Sequence, residues 1–147
     1  MKLTIEQSDQ YATTEIFIKC GQIDLTLEKI IKEIRLYGFS IIGKRNGETH
    51  SIKIENIFYF ESIDEKTYIY CEKEVYECAQ RLWEIEEQLK HINFQRISKN
   101  CIINIYKLVS VRPIINYRLE ATLENGEKVI VNRNYVMLLK QKLNEQE

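Results

Sequence analysis

Residues Ile92–Val111 read INFQRISKNCIINIYKLVSV. Phe94 and Ile97 precede a polar interruption, Ser98-Lys99-Asn100, and Cys101 to Ile105 follow it, with Leu108, Val109 and Val111 close behind. The apolar runs are too short for a helix and rich in isoleucine and valine. Branching at Cβ suits the pleated, half-buried surface of a strand. INFQRI, CIINI and LVSVR are therefore expected to be strands joined by polar corners. The corner sets an ammonium, an amide and a thiol side by side. Cys101 offers a nucleophile, while Lys99 and Asn100 offer a cation and an amide on a rigid edge.

The same texture extends on both sides. NIFYFES (56–62) and TYIYC (67–71) are further short strands. SIIGKRNGETHSIKI (40–54) and RLEATLENGEKVIV (118–131) each contain Asn-Gly, the dipeptide of a two-residue hairpin whose central residues both take positive φ. Three stretches change period. Leu27, Ile30, Ile31, Ile34 and Tyr37 fall on one helical face, with Asp24 or Thr26 to cap its start and Gly38 to end it. Cys78, Leu82, Ile85, Leu89 and Ile92 form a second apolar stripe beside Trp83, with acids on the outer face, and Val136, Leu139 and Leu143 define a helix over Tyr135 to Leu143. Leu3 with Ile5, and Ile16 with Ile18, alternate as two opening strands. The expected architecture is mainly β with helices (α+β). A small strand-strand-helix extension over residues 1–39, an oligomerisation or input unit, precedes a β-rich unit over 40–147.

Several classes of function lose their signature. The start, MKLTIEQSDQ, lacks the apolar core of a signal peptide, and no apolar run approaches a membrane span, so a cytoplasmic protein is expected. Cysteines 20, 71, 78 and 101 contain no C-x-x-C pair, and His50 and His91 complete no metal-ligand spacing with them. No glycine-rich phosphate loop occurs, and Cys101 at a strand entrance behaves as a small hydrophobe rather than a nucleophile. The expectation is no enzyme, no metal, no cofactor and no small-molecule substrate. Tyr59, Tyr68, Tyr70 and Tyr76 sit in strand patterns, where sheet packing outweighs base stacking.

The formal net charge of -1 hides an asymmetry. From Glu61 to Lys90 there are nine acids and four bases, whereas from Arg96 to Lys142 nine bases face three acids. An anionic partner is plausible for the second stretch, and solvated strand faces are the plain alternative.

Taken in order, IENIFYFES, TYIYCEKEVYECAQRLWEIEEQL, INFQRISKNCIINIYKLVSV and RLEATLENGEKVIVNRNYVMLLKQKL resemble the LytTR family of DNA-binding domains over about residues 40 to 145. Phe94, Arg96, Ser98, Lys99, Ile103 and Asn104 are similar to its phenylalanine, basic and valine-asparagine core, and Asn132 to Val136 to its closing segment. The resemblance implies antiparallel sheets with a flanking helix that read duplex DNA through loops and strand edges entering successive major grooves. Carried over by position, the contacts are Lys66 and Thr67 in the loop Asp64 to Thr67, then Ser98, Lys99 and Asn100, then Arg133 and Asn134. It further implies a short stand-alone regulator without a receiver domain, dimeric on direct repeats, with a membrane protein among its candidate partners. Asn100 and Asn132 stand where the family often has hydroxyls, Thr67 stands in place of a first-loop histidine, and Asp64 and Glu65 are awkward neighbours for phosphate. A non-catalytic protein-interaction module and an RNA binder remain the alternatives.

Overall fold

In a computed structural model that describes residues 1–145, apart from the side chains of residues 36–38, ten strands and three helices form one packed unit behind an exposed N-terminal stretch. Helix α1 is Leu25–Gly38, with Asp24 accepting from the Leu27 amide at 2.8 Å as its cap. Leu27, Ile30, Ile31 and Ile34 are half-buried along it, and the Tyr37 side chain expected on that face lies outside the described residues. Strands β1 (Ser40–Arg45), β2 (Glu48–Lys53), β3 (Ile57–Ile63), β4 (Lys66–Cys71) and β5 (Val75–Cys78) follow, then α2 (Leu82–Leu89), β6 (Phe94–Ser98) and β7 (Cys101–Asn104). The chain closes with β8 (Leu108–Ile114), β9 (Arg118–Leu123), β10 (Lys128–Val131) and α3 (Arg133–Glu145).

All strand pairs are antiparallel. One sheet runs β2-β1-β5-β4-β3-β7-β6 and a second runs β10-β9-β8. Helix α2 covers one face of the large sheet, where Phe60, Ile69, Ile85, Leu89, Phe94 and Ile102 form a core. The small sheet and α3 cover the other face, where Phe58, Ile97, Ile103, Leu119, Leu123, Val131 and Leu139 form a second. Because both faces of β3 and β7 are covered, Ile57-Phe58-Tyr59-Phe60 and Cys101-Ile102-Ile103-Asn104 are buried without alternation. Tyr59 stacks on Tyr70 with centroids 4.3 Å apart, and Tyr76 lies 5.1 Å from the His50 ring. These tyrosines serve the sheet.

Three expectations need correction. Residues 1–24 form no strands; every one is exposed, Leu3 at 85% and Phe17 at 81%. Two apolar residues per run bury too little to hold an isolated hairpin, and Ile16-Phe17-Ile18 breaks the alternation. The stripe from Cys78 is not all helix: Val75–Cys78 pairs with β4, opposite Tyr70 through Thr67, and α2 starts only at Leu82. There the Glu84 carboxylate accepts from the Arg81 amide at 3.1 Å. Asn46-Gly47 makes the expected two-residue turn, with φ of 52 and 79°. At Asn125-Gly126, by contrast, only Gly126 is left-handed (φ 86°), and the Leu123 amide bonds to the Glu127 carbonyl around a three-residue loop.

Candidate nucleic-acid interface

The antiparallel order brings turns distant in sequence to one end of the molecule. Glu61 pairs with Cys101, so the β3–β4 turn and the β6–β7 turn lie together, and the Ser62 amide donates to the Asn100 carbonyl at 2.8 Å. The Asn132 amide donates to the Ile97 carbonyl at 2.9 Å, which fixes the start of α3 beside the same corner. The β8–β9 turn joins them, because Leu119 at the foot of that turn pairs with Val131.

In the first turn Asp64 and Glu65 both have positive φ (50 and 66°), which closes β3 onto β4 in two residues. Arg81 holds it by donating to the Glu65 carbonyl at 3.4 Å. Lys66 projects from it, 61% exposed and 4.0 Å from Glu77. Thr67 does not project: it is 3% exposed, opposite Cys78 and on the inward face with Ile69. In the free chain its side chain is turned into the sheet, which sets it apart from Lys66 as a candidate contact.

At the second turn the Ser98 hydroxyl accepts from the Asn100 amide at 3.2 Å. Lys99 and Asn100 are exposed, and among the described residues their side chains have no hydrogen-bond partner. Arg96 makes their position rigid. Its guanidinium donates to the Ser98 carbonyl at 3.1 Å, to the Lys99 carbonyl and to Glu86 on α2 at 3.3 Å. A base counted toward the positive stretch thus serves as a clamp. Cys101 beside the turn is buried, and that burial, reinforced by the Glu61 carboxylate, pushes its thiol up to about 12, far from a thiolate at neutral pH.

At the third position Arg133 and Asn134 open α3, both exposed. They line a notch with Asn132, Asn116 and Arg118. Asn116 and Tyr117 in the β8–β9 turn are both left-handed (φ 66 and 59°). Sequence reading missed this turn, and the sole hint was an asparagine between two apolar runs.

The ion pairs explain how the positive surplus is distributed. Lys107 pairs with Glu124, and Arg112 and Lys128 share Glu120, so these bases are matched along the strands. Arg112 holds the Glu120 carboxyl below its ordinary range. Of the other bases in the stretch, Lys99, Arg118, Arg133, Lys140 and Lys142 have no carboxylate partner among the described residues; the first three lie at the turn-bearing end, the last two further along α3, where Lys142 donates to the Lys90 carbonyl at 2.6 Å. That distribution is what a polyanion-binding end needs.

A strand-rich fold with exposed cations on a turn and at the start of a helix is a fold suited to binding nucleic acid. The model of the LytTr DNA-binding domain matches residues 47–144, so the chain belongs to the LytTR family of DNA-binding domains. The fold is similar to the solved LytTr DNA-binding domain of a Bacillus cereus protein, with a TM-score of 0.67 and 24% identity over 71% of this chain and 95% of that one. The sensory transduction protein LytT of Enterococcus faecalis (strain ATCC 700802 / V583) is 34% identical over 86 residues, 58% of this chain and 36% of that protein. The chain thus spans about a third of that relative's length. An uncharacterized HTH-type transcriptional regulator of Staphylococcus aureus (strain NCTC 8325 / PS 47) is 23% identical over 145 residues, 97% of this chain and 98% of that one. Among the described residues here no two helices are consecutive, and none is long and apolar enough to cross a membrane.

Proposed function

We propose that this chain is a sequence-specific, double-stranded DNA-binding transcriptional regulator that acts in the cytoplasm by binding alone, without a catalytic step or a cofactor. The carrying observation is that Lys99, Arg118 and Arg133, none with a carboxylate partner among the described residues, lie together at one end of a rigid sheet. Lys66, Ser98, Lys99, Asn100, Arg133 and Asn134 make the contacts, with the turns in successive major grooves. Lysine and arginine bind phosphate or a guanine edge, and asparagine pairs with adenine or holds a phosphate. Two chains occupy a direct repeat. The segment 1–39 is the oligomerisation or input unit, supported by the exposed apolar residues Leu3, Ile5, Ile16 and Phe17, and a membrane protein is a candidate source of the signal.

Selection of bound sites from random duplexes, followed by titration at several salt concentrations, tests this. Neutralising about four phosphates per chain gives a log-log slope near -4 per chain. Sedimentation should count two chains per selected duplex. A flat salt dependence, or no duplex enriched, would reject the DNA reading in favour of a protein-interaction module; one chain per duplex would reject the dimer alone.

A further inference from the structure

The β8–β9 turn has features that a solvent loop does not need. Ile115 is 71% exposed and Tyr117 is 87% exposed, so two large apolar side chains flank Asn116 at the outermost point of a hairpin. The hairpin is closed by the Ile114–Arg118 pair and by the Arg118 guanidinium donating to the Ile115 carbonyl at 3.2 Å. Asn116 and Tyr117 both lie in the left-handed region, with φ of 66 and 59°. Asparagine tolerates that region, but tyrosine, with its Cβ against the following carbonyl, visits it rarely. Closure of the hairpin therefore holds Tyr117 against its local preference and turns it away from the sheet.

The surroundings say what this tip meets. Behind it lies the notch of Asn116, Arg118, Asn132, Arg133 and Asn134, five residues that all carry N–H donors and none of which carries a carboxylate. Side-chain amides and guanidinium groups are the groups that bind phosphate oxygens. Arg133 and Asn116 line the same notch, so the start of α3 and the Ile115–Tyr117 tip border it together. A duplex that lays a groove on Arg133 and seats its phosphate ridge in the notch must present its next groove to the tip. In the narrow minor groove the exposed surface is mostly deoxyribose, which suits apolar side chains, and apolar residues set there can wedge between base steps.

Building on the proposed DNA-binding function, we infer that the Ile115–Asn116–Tyr117 tip is a further DNA contact. It enters the minor groove beside the major groove that receives Arg133. Ile115 and Tyr117 lie against the sugars, and the notch, Asn116 included, holds the phosphates between. The tip extends each half-site by a few base pairs past the Arg133 contact and favours the easily deformed steps there.

The test uses the full chain on a duplex selected by the unsubstituted protein, with anisotropy for affinity and hydroxyl-radical cleavage for the minor groove. Tyr117→Gly separates the contact from the fold: it removes the ring while relaxing the left-handed backbone, so the unfolding temperature should hold or rise as affinity falls roughly tenfold. Ile115→Ser should weaken binding by a few-fold. In both variants the sugar protection flanking the Arg133 site should disappear while the rest of the footprint stays. Affinity within twofold of the unsubstituted chain and an unchanged footprint, with Arg133→Ala still strongly weakened, would overturn the inference and leave the function intact. Failure of the unsubstituted chain to bind any duplex would remove both.

Discussion

Asparagine does opposite work at the two ends of β7. At one end Asn104 is 1% exposed, and its amide donates to the Ile57 carbonyl at 2.8 Å while its oxygen accepts from the Tyr106 amide at 3.0 Å and from Asn93. Asn93 is itself buried, and its carbonyl accepts from the Ile105 amide at 2.7 Å. At the other end, four residues away, Asn100 is exposed, with its backbone anchored and its side chain free among the described residues. A buried amide with every partner supplied specifies one arrangement of the strands around it. An exposed amide on an anchored backbone loses little entropy when a ligand arrives, because its position is already fixed. The first end makes the second precise.

The largest effect of a substitution is expected at the buried end. Asn104→Ala removes the donor and the acceptor at the node and leaves three groups, the Ile57 carbonyl, the Tyr106 amide and the Asn93 side-chain amide, without their partner. Leaving buried polar groups unpaired costs about 1–3 kcal/mol each, partly relieved by relaxation or water, so the loss should be about 3 kcal/mol in urea unfolding. A loss below about 0.5 kcal/mol would mean that water replaces the side chain and that the node specifies little.

At the exposed end the same kind of substitution should move a different quantity. Lys99→Ala and Arg133→Ala should each weaken specific DNA binding by about 1–3 kcal/mol and leave the unfolding temperature unchanged. If either variant unfolds more easily, that side chain belongs with Asn104 and not with Asn100.

Legibility divides along the same line. Strands β3, β4, β6, β7 and β8 are visible in the chain because each carries a dense run of Ile, Val, Tyr or Phe, and α3 because its apolar residues recur with helical spacing. Val75–Cys78 is not, since those four residues become a strand only through the hydrogen bonds that β4 offers. The opening segment is the converse case: its alternation is real, but none of its described residues finds a strand to pair with, so local pattern fails without tertiary partners. Among the site residues, Lys99 and Arg133 are legible because a cation at the end of a strand has little to offer a core. The Asn116–Tyr117 turn is hidden because its left-handed backbone comes from hairpin closure and not from a glycine. Thr67 is instructive in another way. The alternation of β4 itself sets it on the face of Ile69, a signal that outweighs its position beside Lys66 in the family-like loop.

That last pair gives the finest test of the division between structural and reading residues, because the two are adjacent in sequence and share one turn. Lys66 is exposed and tethered only by a long, solvent-screened pairing with Glu77, so its ammonium is available to a phosphate at little cost. Lys66→Ala should therefore weaken binding by about 0.5–1 kcal/mol and lower the salt slope by about one unit. Thr67→Val keeps the volume of a side chain that is turned into the sheet, so binding should change by less than about 0.5 kcal/mol, with any effect confined to unfolding. Should Thr67→Val weaken binding more than Lys66→Ala without a change in stability, the β3–β4 turn must open on DNA, and burial in the free protein would no longer separate the two roles.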